Sequence, residues 1–234
     1  MAANSPSTVA AILVAAGAGE RLGAGKPKAY VEVGGRTLLQ HAIDLFNGHP
    51  RVGDVIVVLP PGDTGSYTAV TPVPGGPTRQ ESVAAGLRRV GRDVDFVLVH
   101  DAARPFVPAT VIDAVLAALD AGADAVVPVV PIHDTVRRVG GDGALAETVD
   151  RCTLVAVQTP QAFRREVLVA AHEQASGSVA TDDAGLVEAM GVPVVSVPGA
   201  EDSFKITTPL DLARAETVAQ LRSARSPSVP GGIS

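Results

Sequence analysis

Residues 9–28 read VAAILVAAGAGERLGAGKPK: an eight-residue apolar run, Val9–Ala16, followed at once by a glycine-rich loop that carries Arg21, Lys26 and Lys28. The apolar part shows no polar alternation, so it suits a strand buried on both faces of a parallel sheet. No Lys or Arg precedes it and it is far too short to span a bilayer, which argues against a signal segment or a membrane helix. Similar runs recur at Val55–Leu59, Phe96–His100, Ala125–Val130 and Val194–Val197.

Helical patterns separate these runs. Leu38, Leu39, Ala42, Ile43 and Phe46 share one helical face, and Gly48 follows as a stop. Thr78 and Glu81 have capping-box spacing. Pro108 suits the first turn of a helix carrying Val111, Val115 and Leu119. Thr208-Pro209 with Asp211 opens a last helix through Leu221. Strands alternating with helices predict a doubly wound α/β fold with a mostly parallel, Rossmann-like sheet, which binds ligands at the carboxyl ends of its strands.

From residue 131 to 161 the pattern breaks. Val136, Val139, Leu145 and Val149 flank a Gly140-Gly141-Asp142-Gly143 turn, the signature of a projecting hairpin. An isolated hairpin is marginal in water, so this arm is expected to pack on something, such as a second subunit. Residues 1–8 and 223–234 read as disordered tails around a single domain over 9–222.

Bulk properties narrow the class of function. Aromatic residues make up only 3% and Trp is absent, so little is available for base stacking. The net charge of −6 argues against broad nucleic-acid binding and requires a local basic cluster for any polyanionic ligand. Cys152 stands alone, which excludes an intrachain disulfide and a cysteine zinc site. A reducing, cytoplasmic setting with no membrane association is the expectation.

Two phosphate-loop signatures fail on spacing. A dinucleotide fingerprint needs Gly where Leu22 stands; a Walker A loop needs Gly at Glu20 and Ser or Thr at Pro27. What remains is a phosphate-binding loop with backbone donors and the cations Arg21, Lys26 and Lys28 at the end of the first strand.

Ala15-Ala16-Gly17-Ala18-Gly19-Glu20-Arg21 with Pro27-Lys28 resembles nucleotidyltransferases that activate sugars and polyols. Gly75-Gly76, Arg79 and Ser82, then His100-Asp101-Ala102-Ala103-Arg104-Pro105, narrow the resemblance to the 2-C-methyl-D-erythritol 4-phosphate cytidylyltransferases of the non-mevalonate isoprenoid pathway. Asp134-Thr135, Val149-Asp150-Arg151, Thr159-Pro160-Gln161, Thr181-Asp182 and Lys205-Ile206-Thr207 continue it in order, over roughly residues 9–220.

The resemblance implies a magnesium-dependent transfer from CTP to a polyol phosphate, releasing pyrophosphate. A phosphate monoester is already ionised at neutral pH, so no general base is needed. The work lies in holding two anions together and neutralising charge on the α-phosphorus. Arg21 and Lys28 are implied as transition-state stabilisers, and Arg151 and Lys205 as holders of substrate phosphate. Ala15, Ala16, Gly17, Ala18, Gly19, Asp101 and Ala102 would bind CTP, with Gly75, Gly76 and Ser82 reading the cytosine. Members of the family often carry Asp where Pro77 stands, and Pro has no N–H to offer. Asp101, Arg104, Thr135, Arg151, Thr181 and Lys205 would bind the polyol phosphate, and Asp101 is the candidate magnesium ligand. Thr135 and Arg151 lie on the arm, which in the family crosses to a partner subunit; a homodimer with shared sites follows. Thr181 could equally be a helix N-cap, Ser82 a helix-interior serine bonding its own backbone, and His100 buried structure. The alternative activities are ribitol 5-phosphate cytidylyltransferase and nucleotide-sugar pyrophosphorylase. The alternative of another class is a nucleotide-binding regulator without catalysis. With no room for a fused cyclodiphosphate synthase domain, a single activity is expected.

Overall fold

The computed structural model describes residues 7–17, 19, 22, 25–63, 65, 67–175 and 180–225. Along the chain these form β1 (Val9–Val14), a small hairpin of β2 (Glu32–Val33) and β3 (Arg36–Thr37), α1 (Leu38–Asn47), β4 (Val52–Leu59), β5 (Thr71–Pro74), α2 (Arg79–Leu87) and β6 (Phe96–Asp101). Then come α3 (Ala109–Asp120), β7 (Ala125–Pro131), a second hairpin of β8 (Val136–Val139) and β9 (Leu145–Val149), β10 (Val155–Val157), β11 (Gln161–Arg164), α4 (Arg165–Gln174), α5 (Asp183–Ala189), β12 (Val194–Pro198) and α6 (Pro209–Arg225).

β1 lies at the heart of the sheet, parallel to β4 on one side and β6 on the other. β5 continues parallel beyond β4. Beyond β6, β11 runs antiparallel between β6 and β7. β10 pairs antiparallel with the later part of β7, and β12 runs parallel to β7. The α/β, mostly parallel architecture is therefore as expected, with β10 and β11 as the antiparallel exception.

The first strand shows why continuous apolar runs were the deciding signal. Val9, Ala11 and Leu13 face one core, while Ala10 and Ile12 face the other. The first core is closed by Leu39, Ala42, Ile43 and Phe46 of α1 and by Ile112, Val115, Leu116 and Leu119 of α3. The second is closed by Val83 of α2, Leu168 of α4 and Leu186 and Val187 of α5. Phe46 is fully buried, so its truncation to Ala costs roughly 3–5 kcal/mol.

The capping box of α2 is complete: Thr78 Oγ1 accepts from Glu81 N–H at 3.1 Å and Glu81 accepts from Thr78 N–H at 2.9 Å. Pro108 differs from expectation. It is the residue before α3, with extended backbone at ψ 144°, and not part of its first turn. The segment expected as an arm over residues 131–161 does not form one hairpin throughout. Only β8 and β9 form a separate hairpin, because Val155–Val157 add to the main sheet on β7. The expected tails fall outside the described residues except at their inner ends. Thr8 donates from N to Asp95 at 2.8 Å and from Oγ1 to the Asp93 carbonyl at 2.6 Å, and α6 continues to Arg225. Among the described residues no helix is long and apolar enough to cross a membrane.

Candidate active site

The carboxyl ends of β1, β4 and β6 open onto a cleft of about 600 Å³. It is lined by Ala15, Ala16, Gly17, Gly19 and Lys28, by Gly76, Pro77, Thr78, Arg79 and Ser82, and by Asp101, Ala102 and Lys205. Strand pairing sets this up. Ala15 N–H donates to Val58 and Ala102 N–H to Val14, so the loops leave the sheet side by side. Ala18 and Arg21 lie outside the described residues.

Two glycines are required by close approach. Gly19 has φ +73°, and a Cβ there would lie 2.5 Å from Lys28 Cβ. At Gly75 a Cβ would meet Ala16 Cβ at 2.4 Å and Ser82 Oγ at 3.0 Å. Gly75 sits just behind the cleft, where its N–H donates to Leu59 at 2.8 Å. Ser82 Oγ accepts from Gly76 N–H at 3.2 Å. Both glycine N–H groups and the serine hydroxyl are thus engaged within the protein. Gly76 and Ser82 nevertheless line the cleft, where the expectation from sequence puts the cytosine, while Gly75 supports them from behind.

Asp101 ends β6 and is only 7% exposed. Its Oδ1 accepts from Arg79 Nε at 3.2 Å and its Oδ2 from Lys205 Nζ at 2.7 Å. Burial alone would raise its pKa, but Arg79 and Lys205 outweigh burial and hold the carboxyl below the usual range. Its backbone N–H donates to Thr159 Oγ1 at 3.1 Å; Thr159 in turn sits 3.0 Å from His100 Nδ1, and His100 Nε2 lies 3.2 Å from the Arg104 carbonyl. The carbonyl can only accept, so Nε2 carries the proton and Nδ1 accepts from Thr159. Burial, partly opposed by Asp101, pushes the His100 pKa down to about 4. His100 is a neutral strut that braces the strand end, matching its structural reading.

A second cleft of about 320 Å³ adjoins the first. Arg79, Asp101 and Lys205 line both, and Arg104, Gln161 and Thr181 line the smaller. Arg104 is anchored by donating from Nη1 to the Ser203 carbonyl at 2.7 Å. The N-cap of α5 is Asp182, which accepts from Gly185 N–H at 3.0 Å, so the capping reading of Thr181 is wrong and this exposed residue lines the cleft. Arg79 belongs to this centre although it was not among the candidate site residues; its place in the Gly75-Gly76, Arg79, Ser82 motif and at the start of α2 was the available signal.

Thr135 and Arg151 line neither cleft. Both are exposed on or beside the hairpin, and Arg151 Nη1 donates to the His133 carbonyl. Among the described residues no three His, Cys, Asp or Glu side chains cluster to hold a metal ion. Asp101, the candidate ligand, already accepts one bond on each oxygen, from Arg79 and Lys205.

The model of the 2-C-methyl-D-erythritol 4-phosphate cytidylyltransferase family matches residues 9–221. The chain is 48% identical to a protein of that name from Frankia casuarinae, over 90% of this chain and 80% of that one. It is 46% identical to one from Streptomyces coelicolor, over 93% and 87%. The crystal structure of the enzyme of this name from Thermus thermophilus superposes with a TM-score of 0.78 at 40% identity, over 89% of this chain and 98% of that one. The chain belongs to the 2-C-methyl-D-erythritol 4-phosphate cytidylyltransferase family.

Proposed function

We propose that the chain transfers a cytidylyl group from CTP to 2-C-methyl-D-erythritol 4-phosphate, giving 4-diphosphocytidyl-2-C-methyl-D-erythritol and pyrophosphate for isoprenoid precursor synthesis. Family membership supports the activity. The observation that carries the site assignment is the pair of adjoining clefts with Arg79, Asp101 and Lys205 in their common wall. The larger, glycine-rich cleft suits the nucleotide, and the smaller one, with Arg104 and Thr181, suits the polyol phosphate. Their junction is where a monoester oxygen would meet the α-phosphorus.

In this reading Lys28 and Arg21 neutralise the charge that grows on the α-phosphoryl group, and Lys205 holds substrate phosphate at the junction. Asp101 accepts from a ligand hydroxyl. Magnesium would come bound to the triphosphate, whose charge it neutralises, because a single carboxylate already paired with two cations suits an ion carried mainly by phosphates and water. The hairpin supports a homodimer. Arg151 and Thr135 reach neither cleft of their own chain, and Val139 and Leu145 are 66% and 62% exposed on an arm that lacks a second layer. An arm laid on a partner would cover them and complete its polyol site. The net charge and single cysteine fit a cytoplasmic enzyme that binds no nucleic acid.

Pyrophosphate release should be measured with CTP, UTP, ATP and GTP, each against methylerythritol phosphate and ribitol phosphate. Turnover confined to CTP with methylerythritol phosphate is expected. Preference for ribitol phosphate would reassign the polyol, and no turnover with any pair would favour the regulatory reading.

A further inference from the structure

Asp101 is paired with two cations that are held very differently. Lys205 makes one bond to it, from a flexible side chain that is 42% exposed. Arg79 makes a bond to Asp101 and a second, shorter one from Nη1 to Asp183 Oδ2 at 2.6 Å. Asp183 has a side chain only 1% exposed, lines neither cleft, and is bonded at Oδ1 by His172 Nε2 at 3.0 Å. A chain of polar contacts therefore runs from α4 (His172) through α5 (Asp183) and α2 (Arg79) to the end of β6 (Asp101). Lys205 is its loose outer member.

We propose that Arg79 is a positioning residue for the transfer: a fixed counter-charge on Asp101 that lets Lys205 move onto a substrate phosphate. The inference rests on the cytidylyltransferase reading. Two polyanions must meet beside Asp101, and an uncompensated carboxylate there would repel both. If Lys205 were the only partner of Asp101, each ligand phosphate would compete with that carboxylate for the same ammonium. With Arg79 tied to the buried Asp183, the carboxylate keeps one fixed cationic partner and its orientation after Lys205 departs. A guanidinium suits this task because its planar fork spans two carboxylates at once, which an ammonium does not do in fixed geometry. Arg79 also keeps a buried Nη2 without a hydrogen-bond partner.

The test is a double-mutant cycle on the full chain, read as kcat and KM in the pyrophosphate assay. Lys205→Ala is expected to lower kcat/KM by about 10²-fold in the wild-type background but by only ~3-fold in an Arg79→Gln background, because the lysine is then held by Asp101. Arg79→Gln alone should raise KM for the phosphate substrates and lower kcat, and Arg79→Lys should rescue it only in part. Losses that simply multiply, or an Arg79→Gln variant with normal kinetics, would overturn the inference. If Arg79→Gln fails to fold because Asp183 is left unpaired, the Arg79→Gln/Asp183→Asn pair, which removes both charges, replaces it as the background, with folding checked by thermal melting. Absence of turnover by the wild type would remove the cytidylyltransferase reading and this inference with it; wild-type turnover with multiplicative losses removes the inference alone.

Discussion

Lys28 enters the larger cleft from a short 3-10 turn, Lys28–Tyr30, whose backbone is packed against Gly19. In the proposed reaction a cation placed this way would stabilise charge that appears only in the transition state. Lys28→Ala should therefore lower kcat by roughly 10²–10³, with a much smaller change in KM for CTP. A normal kcat would remove Lys28 from the catalytic assignment. Arg21 carries the same expectation from sequence, and it lies outside the described residues. His100 yields a prediction of another kind. Its folded pKa of about 4 lies below its usual 6.5, so the unfolded chain takes up the proton first as pH falls. The stability associated with neutral His100 is intact above pH 6.5, declines between 6.5 and 4, and levels off below, a loss of about 3 kcal/mol. Denaturant melts at pH 7 and pH 5 would reveal this slope, and His100→Gln should flatten it. An unchanged slope in the variant would mean that other groups dominate acid sensitivity.

At the level of elements, α2 is seated on the sheet more closely than helix propensity would choose. Gly86 is in its interior, where Gly ordinarily costs about 1 kcal/mol relative to Ala. A Cβ there would lie 2.7 Å from Ile12 Cγ2 and 3.1 Å from Val58 Cγ2, both in fully buried, branched side chains. Gly86→Ala is expected to destabilise by about 1–3 kcal/mol despite the gain in propensity. Chemical denaturation decides the sign; a more stable variant would show that β1 and β4 yield. Because α2 also presents Arg79 to both clefts, the same variant should raise KM where it shifts the helix outward.

For the whole molecule, the proposed dimer puts Lys28 and Arg151 of one active site on different chains. Arg151→Ala and Lys28→Ala homodimers would each be nearly inactive. Mixed by refolding or co-expression, they form heterodimers in which one of the two sites has both wild-type residues. Activity should return to about a quarter of wild type, since about half the dimers are mixed and half their sites are intact. No recovery would place Arg151 in the site of its own chain, and a monomer by sedimentation would remove the shared-site reading altogether.

Much of this was legible along the chain because it depends on short-range rules. Burial of alternate faces by β1, the N-cap of α2 and the glycine turn of the arm involve neighbours within a few residues. Asp101, Lys205 and the glycine-rich loop were identifiable from ordered motifs, since each follows the end of a strand or precedes a helix. The parts that escaped depend on which strands lie side by side. The antiparallel β11 between β6 and β7 is short and carries Gln161 and Arg164, so no apolar run marks it. Arg79 stood in a family motif without an assigned role, and only the fold brought it to Asp101 and to Asp183, 22 and 104 positions away. The order of residues was enough for the α/β class, the family and many of the residues that line the two clefts. That Asp101 is shared by a tethered and a loosely held cation emerged only in three dimensions, because charge pairing between distant segments is set by sheet order and has no local signature.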